Sequence, residues 1–344
     1  MGESGLARRN VGVDAVRVVG LLAVVAGHVW YVEPVIRWTY SWHVPLFFLL
    51  GGYFWVPRRT LHEEFRARFE RIGRPYIFWW LVTCAAYIVW QRFVGAGYVP
   101  WKFVAMATWG GLGALRPWTA FWFFSAFFIA VLFVRWSMRA GWWWTLAFAY
   151  LALVCTYVEP ALAMRAPLAA VAAVAATGFV LFGIGLRELQ PRLRHPAAVG
   201  LLAMGLGMAG ICLPFYRPLE IKSADFGTPV LGVTVAALIG SGLILIGSVS
   251  ASRIPAAVGR LITLMAECGT VVFLSHGIFL MLMRTPDHGG WLDFAVVLGV
   301  PLVIAVTTLR SKWAPWIHGR PLNSYRGGSH KQFPGAMLRP DAGP

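Results

Sequence analysis

An arginine and a histidine share one face of the first apolar segment of this chain. Arg17 and His28 lie eleven residues apart within residues 11–32. In an α-helix this spacing puts both side chains on one face, about 16 Å apart along the axis. Asp14 lies one turn before Arg17 and can pair with it. Ionisable groups are costly at membrane depth, so this row predicts a functional site. Its histidine could act as a general base or as a nucleophile, and its arginine could hold a carbonyl or a phosphate.

A second histidine is expected at the same depth. His43 opens the next apolar segment, residues 40–56, so the chain would leave the membrane after His28 and return at His43. Two histidines at one depth on consecutive helices could share a cavity. A structural alternative stays open: Asp14 and Arg17 could form a clasp, and each histidine could lie buried or at the interface without chemistry.

The composition predicts the elements that must position these residues. Of the 344 residues 58% are hydrophobic and 13% are charged, whereas a soluble protein has roughly twice that charged fraction. We therefore expect an all-α fold, a polytopic transmembrane helical bundle lying in the lipid bilayer. Ten apolar segments have approximate cores at 11–32, 40–56, 75–94, 119–134, 141–158, 167–186, 197–215, 229–249, 267–284 and 291–309.

The distribution of basic residues predicts the orientation of the bundle. If the ten segments all span, 21 of the 30 Lys and Arg residues lie on the side of the N-terminus and eight on the other. Such an excess marks the cytoplasmic side, so both termini are expected to be cytoplasmic. This placement also accounts for the net charge of +16 without a nucleic-acid partner. The four cysteines fall inside apolar segments and show no disulfide framework or zinc spacing, so no metal is expected.

Two regions are expected along the chain. Residues 1–310 form the membrane domain, and residues 311–344, rich in Gly, Pro and basic residues, form a disordered cytoplasmic tail. The connections are too short for a separate soluble domain, so any chemistry belongs to the helical bundle and its loops.

These residues resemble the acyltransferase-3 membrane proteins, particularly the branch like fucose 4-O-acetylases. The family's first helix carries an arginine, ten residues and a histidine, as at Arg17 and His28. Its second helix reads roughly His-x-Pro-x-Phe-Phe-x-x-Ser-Gly-Tyr/Phe, and the run from His43 to Tyr53 is HVPLFFLLGGY. The departure is Gly51 in place of serine, which removes a hydroxyl.

Three later runs extend the resemblance over about residues 10–310. They are RIGRPY from Arg71, which is similar to the family's entry into its third helix, FWFF from Phe121 and FLSH ending at His276. For His276 only the resemblance points to a role, because Glu267 lies on the opposite face of the same predicted helix.

The resemblance implies an activity and its substrates. An acyl-CoA, expected to be acetyl-CoA, would donate from the cytoplasm to a hydroxyl of a saccharide, glycolipid or related cell-envelope or secondary-metabolite acceptor. The protein would lie in the inner or plasma membrane and hold no permanently bound cofactor. His28, as general base or acyl-accepting nucleophile, would be catalytic with His43 and Arg17. Donor or substrate contacts are expected from Asp14, Arg71, Arg74, Gly51, Gly52, Tyr53, Trp122 and His276.

Another class of function fits the same pattern of polar residues. A multi-span transporter or flippase for a glycolipid or small molecule would also place ionisable side chains inside a bundle. Such proteins often show pseudo-symmetric halves with broken helices, and no such halves are visible in this sequence. A membrane sensor or structural protein without catalysis is a third alternative. Turnover of acyl-CoA by the purified protein separates the enzyme from both.

Overall fold

The computed structural model describes residues 10–95 and 100–320. Within these ranges the chain is helical and has no β-strand; two isolated bridges, Trp30 with His288 and Glu220 with Asp225, connect loops. The helices pack around one large core of aliphatic and aromatic side chains. The prediction of an all-α fold with apolar helices able to span a membrane is confirmed.

Fifteen α-helices are present in the described ranges. In chain order they are α1 (Val11–Val29), α2 (Glu33–Thr39), α3 (His43–Tyr53), α4 (Leu61–Arg68), α5 (Arg74–Phe93), α6 (Trp101–Trp109), α7 (Phe121–Ser137), α8 (Trp142–Val158), α9 (Pro160–Arg165), α10 (Ala170–Leu189), α11 (Pro196–Ile211), α12 (Leu231–Ser250), α13 (Ala256–Leu282), α14 (Trp291–Thr308) and α15 (Ala314–Ile317). A π-helical turn, Phe69–Gly73, joins α4 to α5.

Each of the ten apolar segments coincides with one helix, but within residues 10–95 and 100–320 only six helical stretches are long and apolar enough to cross a membrane. These six are Val11–Val29, Leu61–Phe93, Pro167–Arg192, Leu231–Arg253, Ala256–Leu282 and Trp291–Thr308. The helices α7 and α8 have 17 residues, α11 has 16 and α3 has 11. The number of ten spans therefore stays a prediction. The largest boundary error is at α13, which begins at Ala256, well before the expected core at 267–284.

An asparagine fixes the start of α1. The Asn10 side chain accepts hydrogen bonds from the backbone N–H groups of Gly12 (2.9 Å) and Val13 (3.2 Å), in the first turn, where the helix does not supply an acceptor for every donor. The same side chain donates to the carbonyl of Ser248 on α12, at 2.7 Å. Asn10 therefore both begins α1 and fixes the axial position of α1 against α12. That axial position determines where Arg17 and His28 lie along the bundle.

Glycines bring α3 and α10 into backbone contact. A Cβ atom at Gly52 would overlap the carbonyl of Val180, and one at Gly183 would overlap the carbonyl of Leu49. Small residues permit such close approach between membrane helices. Gly52 therefore packs α3 against α10. Gly51 is different, because the nearest atoms to its missing side chain belong to the ring of Phe127, 2.7 Å from the position of a Cβ.

The first part of the expected tail is helical and packed. The α15 helix lies in residues 311–320, where Trp79 Nε1 donates to the carbonyl of Ile317 at 3.1 Å. His318 Nε2 lies 2.9 Å from Thr308 Oγ1 at the end of α14. These residues were expected to begin a disordered segment, and the structure instead places them against α5 and α14. The remaining residues of that expected tail, 321–344, lie outside the described ranges.

Candidate active site

A cavity of about 220 Å³ contains two of the predicted histidines. His28 comes from the last turn of α1 and His43 from the first turn of α3, so the chain reverses direction between them. Both side chains line this cavity, which we call the histidine cavity. The expectation that two histidines on consecutive helices share one cavity agrees with this placement, and Trp122 of α7 lines the same cavity.

His276 lies directly beside His28. The two imidazole rings are 5.1 Å apart between centroids, with 32° between their planes. His276 is fully buried, and its Nδ1 lies 2.9 Å from the carbonyl of Phe273 and 3.2 Å from that of Val272. A carbonyl only accepts, so Nδ1 carries the proton and Nε2 is the acceptor nitrogen. The resemblance alone suggested His276, and the structure brings it to the site on α13.

His43 has the same tautomer for the same reason. Its Nδ1 lies 2.6 Å from the carbonyl of Thr39, one turn earlier, so Nδ1 donates and Nε2 carries no proton. Tyr40 packs against the His43 ring edge-on, at 5.0 Å between centroids. The imidazole is therefore fixed in orientation by its own local chain.

Arg116 holds the backbone around His28 and was missed by the sequence reasoning. Its Nη2 donates to the carbonyl of His28 at 3.3 Å, its Nη1 donates to the carbonyl of Thr285, and Asp287 lies 3.8 Å from Nη2. The end of α1, the connection before α7 and the connection after α13 thus meet at one guanidinium. Arginine is suited to this task because its donors form a planar fork. Only the fold could reveal a contact between residues 88 positions apart.

Polar groups from the connection between α11 and α12 complete the histidine cavity. Glu220 and Lys222, between α11 and α12, line it together with Tyr31. Lys222 Nζ donates to the carbonyl of Ala114 at 2.7 Å, and burial lowers the pKa of this lysine to about 8. Neither Glu220 nor Lys222 belongs to a motif, so sequence reasoning did not predict their place in the cavity.

A second cavity, of about 350 Å³, contains Arg17 and three other arginines. Arg59, Arg68 and Arg71 come from the segment around α4 and the π-helical turn, and Gly51 of α3 also lines this space. We call it the arginine cavity. It lies at the other end of the Arg17–His28 row, as the spacing of the two residues along α1 requires.

The predicted partnership of Asp14 and Arg17 is present. Arg17 Nη1 donates to Asp14 Oδ1 at 2.9 Å, and the side chain of Asp14 is 2% exposed. The guanidinium lies 4.6 Å from the centre of the Phe54 ring, a cation–π contact. The side chain of Arg17 is 38% exposed, so it remains accessible from the arginine cavity.

A buried carboxylate organises the other arginines. Glu64 is fully buried and accepts from Arg68 Nε at 2.6 Å and Arg135 Nη2 at 3.0 Å, and Arg59 Nη1 lies 3.6 Å away. Arg135 also lies over the Trp55 ring, 3.8 Å from its centre. Three guanidinium groups thus surround one carboxylate, which leaves positive charge in excess beside the arginine cavity. Sequence reasoning missed Glu64 and Arg135, because their 71-residue separation gives no pattern.

Two further predicted contacts lie away from both cavities. Arg74 faces Glu70 at 3.8 Å and the ring of Trp316 at 6.0 Å. Tyr53 donates its hydroxyl hydrogen to Gln190 Oε1 at 2.5 Å, which connects α3 to the turn after α10. Together with Gly52, these residues occupy structural positions here, and their expected contacts with donor or substrate stay predictions. Among the described residues no cluster of three or more His, Cys, Asp or Glu could hold a metal ion.

The two cavities meet at a pair of stacked rings. Phe123 of α7 and Phe273 of α13 line both the histidine cavity and the arginine cavity. Their ring centroids are 5.0 Å apart, with 28° between the planes. An arginine-lined space and a histidine-lined space therefore lie on opposite sides of one aromatic contact within the bundle.

Comparison with known proteins identifies a family model but no individual relative. No curated protein and no solved structure matches the chain significantly. The family model for the acyltransferase domain of the acyltransferase-3 group matches residues 10–310, which include α1 to α14 and every cavity residue named above. The likeness to the fucose 4-O-acetylase branch remains a resemblance. The chain therefore belongs to the acyltransferase-3 family of membrane acyltransferases.

Proposed function

We propose that this protein is a membrane O-acyltransferase that moves an acyl group, expected to be acetyl, from cytoplasmic acyl-CoA to a hydroxyl of an acceptor on the opposite side. The observation that carries the proposal is the pair of cavities, one lined by arginines and one by histidines, which meet at Phe123 and Phe273. The excess of Lys and Arg beside the arginine cavity supports a cytoplasmic position for it. The membrane would be the inner or plasma membrane.

The arginine cavity suits the donor. Acyl-CoA carries several phosphate groups, and guanidinium groups form charge-assisted, often bidentate, hydrogen bonds with phosphate. Arg59, Arg68 and Arg71 line this cavity, and Glu64 holds the first two at its wall. Arg17 lies deeper along α1 and could hold a carbonyl of the pantetheine arm, whose thioester would then point toward Phe123 and Phe273.

His28 is placed to handle the proton of the reaction. In direct transfer the acceptor hydroxyl oxygen attacks the thioester carbon, a new C–O bond forms and the C–S bond breaks. His28 takes the hydroxyl proton, and the CoA sulfur leaves as a thiolate that this proton can neutralise. In the other route the His28 imidazole attacks first, releases CoA and passes the acyl group to the hydroxyl in a second step. Both routes need His28 beside the acyl carbon, with His43 and His276 around it.

The histidine cavity suits a polar acceptor with several hydroxyl groups. The carboxylate of Glu220 can accept from hydroxyl donors, the Lys222 amine can donate, and Tyr31 offers both a ring face and a hydroxyl. A saccharide or the headgroup of a glycolipid presents these features. The cavity's own chemistry therefore supports the acceptor class that the family resemblance suggested.

Release of CoA from the purified protein tests the proposal. The wild-type protein in detergent or lipid nanodiscs receives acetyl-CoA and a panel of saccharide and glycolipid acceptors, and free thiol is measured over time. We expect CoA release that depends on at least one acceptor, with the acetyl group recovered as an ester. Absence of turnover with every acceptor, from a monodisperse preparation, would contradict the proposal. Family membership does not favour the transporter alternative, which predicts this negative result.

A further inference from the structure

Three aromatic rings pack together where the two cavities meet. Phe47 of α3 contacts Phe123 and Phe273 at 5.6 Å each between ring centroids, and those two rings stack on each other at 5.0 Å. We call these three rings the aromatic partition. The three rings come from three different helices, α3, α7 and α13. A substitution of one ring therefore changes the width of the partition and leaves the backbone contacts between the helices in place.

The partition lies on the path that the proposed reaction requires. Among the described residues that line the cavities, Phe123 and Phe273 are shared by both. An acyl group that leaves the arginine cavity and reaches His28 must therefore pass along these two rings. The ring of Phe273 is 6.5 Å from that of His276, which in turn contacts His28. When the thioester carbon lies beside His28, it is therefore also close to Phe273, because the ring of His276 contacts both residues.

The room on the histidine side is small. The acceptor hydroxyl and the thioester carbon must approach to about 3–3.5 Å for attack, so part of the acceptor and the acyl group occupy the cavity together. That cavity has about 220 Å³. A longer acyl chain would have to displace either the acceptor or the packed rings, and packed side chains resist even one added methylene group.

We propose that Phe123 and Phe273 set the length of the acyl group that this protein transfers, and that they restrict it to short chains. The inference rests on the proposed acyl transfer and adds a specificity that neither family membership nor the cavity's polar groups supply. One methylene group in an apolar pocket changes kcat/KM by roughly 10- to 200-fold. We therefore expect wild-type kcat/KM to be at least about tenfold lower for hexanoyl-CoA than for acetyl-CoA.

Leucine substitutions in the partition, compared with a buried control, test this. Phe273→Leu and Phe123→Leu each replace a flat ring by a smaller branched side chain at the passage. Phe48→Leu is the matched control: Phe48 is fully buried on α3 and contacts Phe123 at 5.7 Å and Phe127 at 5.6 Å, yet it lines neither cavity. Size-exclusion chromatography of each purified variant verifies that it is folded, and either partition variant is sufficient for the comparison.

The measured quantity is the ratio of kcat/KM for acetyl-, butyryl- and hexanoyl-CoA. We expect the acetyl-to-hexanoyl ratio to fall at least about tenfold in the folded partition variants and to stay at its wild-type value in Phe48→Leu. Equal wild-type use of acetyl-CoA and hexanoyl-CoA would overturn the inference, and so would a ratio that does not change in the partition variants or falls equally in the control. Absence of wild-type turnover with all three donors would instead contradict the proposed function itself.

Discussion

The imidazole of His28 lies 5.1 Å from that of His276 at the wall of the histidine cavity, and α1 carries no other histidine. A general base contributes about 10²- to 10⁴-fold to a rate. We therefore expect His28→Ala to reduce CoA release at least about 100-fold, and His28→Gln to do the same because glutamine hydrogen-bonds but takes no proton. His43→Ala should lose activity less completely, since a water molecule can replace a hydrogen-bonding group.

The control for these variants is a histidine of the same chain outside the cavities. His195 is exposed before α11, so His195→Ala should have wild-type turnover. Yield and CoA release are measured on the same preparations. A folded His28→Ala protein with ordinary turnover would remove the catalytic assignment.

Arg17 is expected to act on the donor rather than on the acceptor. Hydrogen bonds to charged groups contribute about 1.5–3 kcal/mol, so Arg17→Ala should raise the KM for acetyl-CoA roughly 10- to 100-fold and leave the acceptor KM nearly unchanged. Arg17→Lys should recover little, because the contact to Asp14 and a planar donor contact both use the guanidinium fork. Arg66, whose side chain is 76% exposed on α4, provides the control variant Arg66→Ala. An equal rise in the KM for acetyl-CoA in Arg17→Ala and Arg66→Ala would indicate that Arg17 acts only through the overall positive charge of the protein.

Lys222 predicts a pH dependence of acceptor binding. Burial lowers its pKa to about 8, so the amine is charged below about pH 8 and neutral above it. If the charged amine holds the acceptor, the acceptor KM rises as pH increases through about 8, at saturating acetyl-CoA. In Lys222→Met the acceptor KM should be higher and should lack this step. Identical pH profiles for the two proteins would show that Lys222 serves only to connect its loop to Ala114.

Among individual side-chain contacts, those within one helix were predictable from the sequence and those between helices were not. Asp14 and Arg17 pair because residues three apart lie on one helix face, a rule that needs no fold. The His28–His276 contact and the Glu64–Arg135 pair join helices far apart in the chain, and no local spacing encodes them. The family motif pointed to His276, whereas nothing pointed to Glu64.

Close helix contacts can be tested within a single element. On α10, a Cβ at Gly183 would overlap the backbone of Leu49, whereas a Cβ at Gly185 has no atom within 4 Å. Gly183→Ala should therefore destabilise the protein by about 1–3 kcal/mol through overpacking against α3. Gly185→Ala, two residues later, should be neutral or stabilise by up to about 1 kcal/mol, because alanine is the better helix former. Thermal unfolding in detergent gives the comparison, and equal effects would contradict the α3–α10 contact.

The helices themselves were largely predictable, and their ends were not. Long apolar runs such as 229–249 become helices such as Leu231–Ser250 because apolar periodicity and length dominate there. The start of α13 was missed because Arg260 was counted with the preceding loop, although the other residues of its first turns, from Ala256, are mostly apolar. The packed α15 was missed because its Trp and Pro residues lie in a basic, glycine-rich stretch.

Across the whole molecule, the connections segregate into two groups. Residues expected outside contact one another, as Lys222 does with Ala114 and Arg116 with Thr285. Those expected inside do the same, as Arg135 does with Val56 at 2.7 Å. This segregation supports an alternating path of the chain, with the histidine cavity on one side and the arginine cavity on the other. We therefore expect donor and acceptor to reach the bundle from opposite faces of the membrane.

Transfer across a sealed vesicle tests that claim most directly. The protein is reconstituted into tight vesicles, acetyl-CoA labelled in the acetyl group is supplied outside, and an acceptor that supports CoA release is enclosed inside. A protease added outside cleaves only C-terminal tags that face outward, so the cleaved fraction measures how many molecules have outward-facing termini. We predict labelled ester in the lumen of these vesicles, and none with His28→Ala. Label found only on acceptor supplied on the same side as acetyl-CoA would contradict the account.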